Sequence, residues 1–324
     1  MFVNLNMNSK IFILLLTITF MGCQKVNSEY EGANCETLIT VDTSHGECNI
    51  QMGYDNQVYF SISGDKRVIT ANNIPEHKVG LFGNAAGSLN PNSIQEQNST
   101  YEIDANPIQS SSITELINNG PEYSFGIMFN GIELDPVAAE PWPHDNQGEP
   151  PGPPTGDNIN WEWNLEASMV QIGLDCNNAH VQPTGKYHYH GVPTLYLENL
   201  AYNQNSMVHL GYAADGFPIY LQSGYSIAND TLSELIDLQS SYRMKTGNRP
   251  GDGNSAPCGE YTGVYTADYE YVEGLGDLDE CNGRAGVTQK SPNGTYYYVI
   301  TDEYPGIPRC FVGIPSNDFK LGPP

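Results

Sequence analysis

Two histidines alternate with two tyrosines in the stretch GKYHYHGVP, residues 185–193. In an extended strand, residues two apart point to the same face, so His188 and His190 are expected together on one side. Tyr187 and Tyr189 would then share the opposite side. Two imidazoles on one face of a strand can bind a single transition metal ion such as zinc or copper. The motif therefore predicts a strand with a metal-binding face.

Two further histidines lie close to this motif in the sequence. Four of the seven histidines in the chain fall between residues 180 and 209. His180 precedes a Pro-x-Gly turn that could fold it back beside the strand, and His209 opens the run HLGYAADGFPIY. Asp215, in the turn of that run, could supply a carboxylate as ligand, hydrogen-bond partner or base. We predict a zinc or copper site made by His180, His188, His190, His209 and Asp215.

Two other interpretations of the histidines stay open. A metal-free enzyme acting on polysaccharide could use histidine and tyrosine as acid and base, with the sugar held by Tyr187, Tyr189 and Tyr212. Alternatively, the strand is structural, its histidines are held by ordinary hydrogen bonds, and the protein is a binding module without chemistry. The sequence contains no Gly-x-Ser-x-Gly, His-Glu-x-x-His or P-loop pattern, so no reaction is predicted.

The elements around the motif are predicted to be short strands and tight turns. Alternating apolar and polar residues predict strands at 57–63 and 161–167. The stretch 123–134 predicts a hairpin around Asn130-Gly131, the strongest short turn signal. The proline-rich run 141–156 can form neither a helix nor a central strand, so an extended loop is expected there.

Only two short helices are predicted, each from a capping box. Ser112-x-x-Glu115 would open a helix that ends at 118–120, and Thr231-x-x-Glu234 would open another through 238. Together these features predict a mainly β fold with long Pro/Gly-rich loops. Its core would be sandwich-like or an irregular antiparallel β arrangement.

An internal repeat is visible around the histidine motif. Residues 174–193 and 278–305 both run Leu-Asp, Cys-Asn, a variable stretch, Pro-x-Gly and then an aromatic strand. Turn-forming residues precede the strand in both copies. Two similar strand-turn units predict a pseudo-duplicated β core, whereas a solenoid would need more copies.

The charge of the chain restricts its partners. The 324 residues include 38 Asp and Glu against 13 Lys and Arg, a net charge of −25. Such an acidic surface repels nucleic acid, so nucleic-acid binding is not expected. The same acidity would serve either solubility or an affinity for cations.

The N-terminus is typical of an exported protein. Lys10 precedes the apolar run 11–21, which is followed by Gly22 and Cys23. This order predicts a signal peptide over 1–22, and the run is too short to span a bilayer comfortably. The stretch Phe-Met-Gly-Cys resembles a lipobox, which would make Cys23 a lipid-carrying membrane anchor in the bacterial cell envelope. Without the lipid, the chain would be an ordinary secreted protein.

Six cysteines remain after Cys23, an even number in a compartment where disulfides persist. They allow fifteen pairings. The preferred set is Cys35–Cys48, Cys176–Cys258 and Cys281–Cys310. A polar tether over 23–34, an N-terminal β segment over 35–120 and a main domain over 121–315 complete the predicted organisation.

Several ordered motifs together resemble one family. The tetrapeptide YHYH, with GYAADGFPIY at 211–220, FNGIELDPVAAEPW at 129–142 and LDECNGR at 278–284, is similar to the YHYH family of secreted and lipid-anchored bacterial proteins. The resemblance covers about 120 to 313 and makes residues 121–315 a YHYH domain. It implies no particular reaction. Family members often carry histidine in the second repeat, where this chain has Arg284 and a Tyr-Tyr-Tyr strand, so the implied site stops at the first repeat.

Overall fold

Strands dominate the chain, as the sequence predicts. The structure is a computed structural model that describes residues 39–143, 159–200 and 206–322, all within one unit spanning 33–324. The strands are β1 Val58–Ser63, β2 Lys66–Ala71, β3 Ser99–Asp104, β4 Thr114–Glu115, β5 Gly126–Met128, β6 Glu133–Leu134, β7 Val137–Trp142, β8 Asn160–Glu166, β9 Ala179–Val181, β10 Tyr187–Tyr189, β11 His209–Ala213, β12 Pro218–Leu221, β13 Ser223–Tyr225, β14 Leu235–Asp237, β15 Tyr242–Met244, β16 Tyr269–Tyr271, β17 Gly283–Gly286, β18 Thr295–Ile300 and β19 Cys310–Phe311.

One α-helix, α1 at Thr194–Asn199, accompanies the strands in the described residues, together with single 3-10 turns at Ala167–Met169, Thr266–Asp268 and Asn317–Phe319. No helix in the described ranges is long and apolar enough to cross a membrane. The predicted signal peptide, the tether and Cys23 lie outside the described residues.

The central sheet has eight strands in the order β17-β18-β12-β11-β5-β6-β10-β9. Each half begins with a hairpin, β5–β6 or β11–β12, in the middle of the sheet. A second hairpin, β9–β10 or β17–β18, lies outside the first. Its second strand pairs in parallel with the inner hairpin, β10 with β6 and β18 with β12. The two halves therefore have the same topology, and the predicted duplication of the β core is confirmed.

The two halves meet at the antiparallel pair of β5 and β11. Gly211 faces Met128 and Ala213 faces Gly126. The pairing is symmetric, because Gly126 and Gly211 occupy equivalent positions in the two halves. A Cβ on Gly126 would lie 2.5 Å from the Tyr212 carbonyl oxygen, and one on Gly211 would lie 2.2 Å from the backbone of β5. Glycine at these two equivalent positions allows the strands to approach this closely.

Equivalent tyrosines tie each outer hairpin to the turn of the inner one. In the first half, Asn130 Nδ2 donates to the hydroxyl of Tyr189, 2.9 Å away. In the second half, the hydroxyl of Tyr298 donates to Asp215 Oδ2 at 2.6 Å. The glycine after each turn residue has a positive φ, 74° and 92° respectively. The predicted hairpin at Asn130-Gly131 is thus confirmed, and it recurs at Asp215-Gly216.

The turn that leads into each outer hairpin is also repeated. The N–H of Asp175 donates to the Ala179 carbonyl at 2.8 Å, and that of Asp279 donates to the Gly283 carbonyl at 2.9 Å. An asparagine three residues after each aspartate has a φ of 54° or 50°, a left-handed conformation that asparagine tolerates. The structural repeat is therefore Leu-Asp-x-x-Asn, so the cysteines of the two copies are offset by one position.

The disulfides differ from the preferred set. Cys48 pairs with Cys176, so the predicted pairs Cys35–Cys48 and Cys176–Cys258 are wrong. Cys281–Cys310 is confirmed. Cys258 is also disulfide-bonded, and Cys35 lies outside the described residues. The observed bridge joins an N-terminal loop to the turn before β9, which places the two cysteines side by side although 128 positions separate them.

Both predicted helices are wrong. Residues 112–120 contain β4, which pairs with β19, and residues 231–238 contain β14, which pairs with β13. An isolated helix of one or two turns is unstable, and pairing with a neighbouring strand supplies backbone hydrogen bonds that a capping box cannot. The strands predicted at 57–63 and 161–167 are confirmed as β1 and β8. The proline-rich run begins inside β7, and its residues 144–156 lie outside the described part.

Candidate metal centre

Three of the predicted histidines come together on the β9–β10 hairpin. His180 on β9 lies directly opposite His188 on β10, and His190 follows the end of β10. The Nε2 atoms of His188 and His190 are 3.0 Å apart, and those of His190 and His180 are 3.1 Å apart. Among the described residues, this is the one group of three or more His, Cys, Asp or Glu side chains positioned to hold a metal ion.

The outer nitrogens of two rings fix their tautomers. His180 Nδ1 is 3.0 Å from the Ile172 carbonyl oxygen, and His188 Nδ1 is 3.4 Å from the Lys186 carbonyl oxygen. A carbonyl oxygen can only accept, so both Nδ1 atoms carry the proton and both Nε2 lone pairs point at His190 Nε2. Metal-binding histidines are oriented in this way by backbone carbonyls.

The spacing of the three nitrogens suits a metal ion better than a hydrogen-bond network. One proton on His190 Nε2 cannot satisfy two lone pairs with good geometry. His190 Nδ1 is buried and makes no hydrogen bond of good geometry within the described residues. Nitrogens bound at about 2.0–2.1 Å to a tetrahedral zinc ion lie about 3.3–3.4 Å apart. The two separations that involve His190 are a few tenths of an ångström shorter, and all three ligand atoms lie within 4.8 Å of one another, so the rings would need only to shift and turn slightly to share one ion.

Burial keeps the cluster neutral. It lowers the pKa of His180, and it lowers the pKa values of His188 and His190 well below the usual range, with repulsion from the neighbouring histidines adding to the effect. A neutral imidazole is the form that binds a metal. His188 and His190 are buried, whereas His180 is partly exposed. The centre is therefore neutral near pH 7, with His180 as its least buried member.

An aspartate that the sequence analysis did not select borders the β10 strand. The N–H of Asp135 donates to the Tyr189 carbonyl at 2.8 Å, next to His190. Its carboxyl is buried, Oδ1 has no partner in the described residues, and burial followed by repulsion from Glu133 raises its pKa to about 8. No spacing rule could have found Asp135, because the parallel pairing of β6 with β10 brings it here.

Arg309 is a second residue near the centre that the sequence did not reveal. Its guanidinium donates to the Pro136 carbonyl at 2.6 Å and forms an ion pair with Glu166 at 2.8 Å. Its positive charge also contributes to lowering the pKa of His190. Arg309 thus links the loop after β6 to the end of β8 beside the histidines.

His209 and Asp215 do not join the cluster, so this part of the prediction is wrong. Both belong to the second half of the sheet, where β5 and β6 lie between β11 and β10. His209 Nε2 donates to the Gly211 carbonyl at 2.9 Å, and its Nδ1 accepts from Lys290 at 2.9 Å. Asp215 accepts from the Tyr298 hydroxyl and from the N–H of Gly313. Both side chains have structural partners.

His209 provides a test of acid sensitivity. Burial, and then the charge of Lys290, lower its pKa from 6.5 to about 3. As the pH falls below 6.5, His209 of the unfolded chain binds a proton, whereas His209 of the folded chain stays neutral until about pH 3. The free energy of unfolding therefore decreases between pH 6.5 and pH 3. Between pH 7 and pH 4, His209→Gln should lose about 3 kcal/mol less unfolding free energy than the parent, as measured by urea titration. Equal losses would contradict a buried neutral imidazole.

The tyrosine face of the motif lies in the hydrophobic core. Tyr187 and Tyr189 are both 0% exposed. The Tyr187 hydroxyl donates to Asp175 at 2.9 Å, and the Tyr189 hydroxyl donates to His77 Nε2 at 2.6 Å. Neither ring can meet a ligand at the surface, so the prediction that they contact a substrate is wrong.

Two other aromatic residues lie away from the cluster. His77, which the sequence analysis did not select, is buried beside Tyr189. Tyr212, the third predicted substrate contact, is partly exposed in the second half of the sheet, where the Arg67 guanidinium lies 3.6 Å from its ring centroid. Tyr212 therefore contributes nothing to the histidine cluster.

The second half of the sheet builds the same hairpin without histidine. Arg284 faces Tyr297 as His180 faces His188. The backbone N–H that follows β10 donates to the Asn178 carbonyl, and its equivalent on β18 donates to the Asn282 carbonyl. The places of His180, His188 and His190 are taken by Arg284, Tyr297 and Val299, and Arg284 Nε donates to the Tyr297 hydroxyl at 2.7 Å. The fold therefore does not require three histidines at these positions, which indicates that their role is not architectural.

Comparison with known proteins identifies one family. The family model described as YHYH protein matches residues 100–313, which include both halves of the sheet and the histidine cluster. The match begins ahead of residue 121, where the sequence analysis placed the domain boundary. No match was found among curated proteins or among solved structures. Since the family model covers about two thirds of the sequence, the chain belongs to the YHYH protein family.

Proposed function

We propose that this chain is an exported protein of the bacterial cell envelope whose β domain binds a transition metal ion, zinc or copper, through His180, His188 and His190. One observation carries the proposal. Three Nε2 atoms converge within about 3 Å of their neighbours, while backbone carbonyls hold the protons of two rings on the outer side. Zinc and copper both accept neutral imidazole ligands.

The cellular location is proposed from independent features. The disulfides Cys48–Cys176 and Cys281–Cys310 are of the kind that persists in oxidising compartments. The apolar run 11–21 before Cys23 supports export and attachment to a membrane through a lipid on that cysteine. The metal-binding domain would then sit outside the cytoplasm.

The number of ligands favours an accessible rather than a sealed centre. Structural zinc sites use four protein ligands, whereas catalytic sites use three and keep one position for water or substrate. The cluster supplies three imidazoles, and His180 is partly exposed. A bound metal ion would lower the pKa of a coordinated water molecule toward neutrality. The buried carboxyl of Asp135, adjacent to the strand that carries the ligands, supplies a group that can hold a proton nearby.

Metal content tests the proposal directly. The chelator-treated chain is equilibrated with excess zinc or copper, desalted, and its bound metal measured by mass spectrometry. We expect about one equivalent in the parent chain and in His209→Gln, which changes a histidine outside the cluster. The double variant His188→Ala/His190→Ala should retain almost none, because a single imidazole cannot hold the ion.

Two results would contradict the proposal. Negligible metal in the parent chain would indicate that the three histidines have a structural role. Equal metal in the parent and the double variant would place the ion elsewhere, for example on the acidic surface.

A further inference from the structure

A cavity of about 950 Å³ opens beside the first residues of β8, and no histidine of the cluster lines it. Its size is within the range of about 300–1,000 Å³ that is usual for small-molecule sites. Among the described residues, its walls combine one indole ring, neutral amide side chains and a single charged residue. They include Trp161, Asn118, Asn119, Asn254 and Glu162.

Trp161 forms the flat wall of this cavity. Its ring rests against the backbone of Gly120, where an added Cβ would be 3.7 Å from an indole carbon. The indole is partly exposed, and its N–H makes no hydrogen bond within the part of the chain that the structure describes. Trp163, two residues further along β8, is instead buried in a hydrophobic cluster. Trp161 therefore lies beyond the hydrophobic core, and part of its ring surface is accessible to a ligand.

Neutral amides surround the indole. Asn119 and Gly120 have φ values of 53° and 141°, and this sharp turn holds Asn118 and Asn119 at the cavity. Within the described residues, the one side-chain hydrogen bond of these amides runs from Asn119 Nδ2 to Asn118 Oδ1, at 3.4 Å. In the described ranges, the side chain of Asn254 has no hydrogen bond either. Three exposed amides thus offer both donors and acceptors to a ligand.

The geometry points to a neutral oligosaccharide as the ligand of this cavity. A pyranose ring has an apolar face that can pack on the indole of Trp161, and its hydroxyl groups match the amides of Asn118, Asn119 and Asn254. No lysine or arginine is among the described residues that line the cavity, and Glu162 is its one charged residue. With a net charge of −25, the chain repels anionic polymers. The chemistry of the walls therefore selects uncharged sugars.

Affinity electrophoresis tests the inference on the full chain. Native gels contain a neutral β-glucan, a mannan or a xylan, with polygalacturonate as the anionic comparison. We expect at least one neutral polymer to retard the chain. Trp161→Ala should weaken the affinity about tenfold, and Trp161→Phe should restore part of it. Tyr59→Ala, at an aromatic residue 68% exposed on β1, and His188→Ala/His190→Ala should both bind like the parent.

The outcomes separate this site from the metal centre. The inference is overturned when no neutral polymer retards the parent, when only polygalacturonate does, or when Trp161→Ala is retarded as strongly as the parent. Thermal unfolding shows whether Trp161→Ala is folded. If it is not, Asn118→Ala decides instead, with an expected loss of about threefold, because this amide is exposed and, unlike Asn119, does not occupy a left-handed backbone conformation. Metal content should be unchanged in the Trp161, Asn118 and Tyr59 variants, so failure of either proposal leaves the other intact.

Discussion

Loading the metal-free protein with zinc, at about a thousand times the dissociation constant, is expected to raise the free energy of unfolding by about 4 kcal/mol. The reason is that only the native chain presents the complete ligand set. His180 meets His188 through the register of β9 and β10, and His190 joins them at the end of β10. For a unit of this size, the gain corresponds to about 7 °C in Tm, measured by calorimetry.

Matched variants make this expectation specific. His188→Ala/His190→Ala should show no rise with zinc, whereas His209→Gln should show the full rise. A chelator should reverse the effect in the parent. An equal rise in the double variant would mean that the ion binds outside the cluster, and a zinc-induced fall in Tm would mean that it prefers the unfolded chain.

Local rules predicted the parts of the site that depend on neighbouring residues. The two-residue period of a strand placed His188 and His190 on one face, and the Pro-x-Gly turn brought His180 back beside them. The Asn-Gly signal found the β5–β6 hairpin. These predictions succeeded because each involves contacts within about ten residues, where backbone geometry leaves few alternatives.

The predictions that failed depend on strand order, which local patterns do not specify. His209 is near the motif in sequence, yet two strands separate β11 from β10. Asp135 is more than 40 positions from the motif, yet parallel pairing of β6 with β10 brings it there. The capping boxes at Ser112 and Thr231 failed for the same reason, because strand partners from distant segments outweighed a local helix signal.

The duplicated halves separate the structural and functional faces of the YHYH motif. Tyr189 and Tyr298 occupy equivalent places and bind the equivalent turns, so the tyrosine face belongs to the architecture that both halves share. The other face differs, with histidines in one half and the Arg284–Tyr297 pair in the other. A face that varies while the hairpin remains the same is free to be used for binding.

Of the two bridges within the described residues, Cys48–Cys176 is expected to contribute more to the stability of the fold. Its cysteines are 128 positions apart, and the chain-entropy relation gives about 5 kcal/mol for closing a loop of that length. The Cys281–Cys310 bridge, with a separation of 29, should contribute about 3.5 kcal/mol. Urea titration of Cys48→Ser/Cys176→Ser and Cys281→Ser/Cys310→Ser would measure both losses.

The same two variants should also differ in metal binding. Cys176 lies four residues before His180, and its bridge anchors the turn that leads into β9. Losing the bridge should loosen the position of His180 and weaken zinc affinity. Cys281 occupies the corresponding turn of the half without histidines, so its removal should lower stability and leave zinc affinity unchanged. Equal zinc affinities in both variants would indicate that the β9–β10 pairing alone positions the ligands.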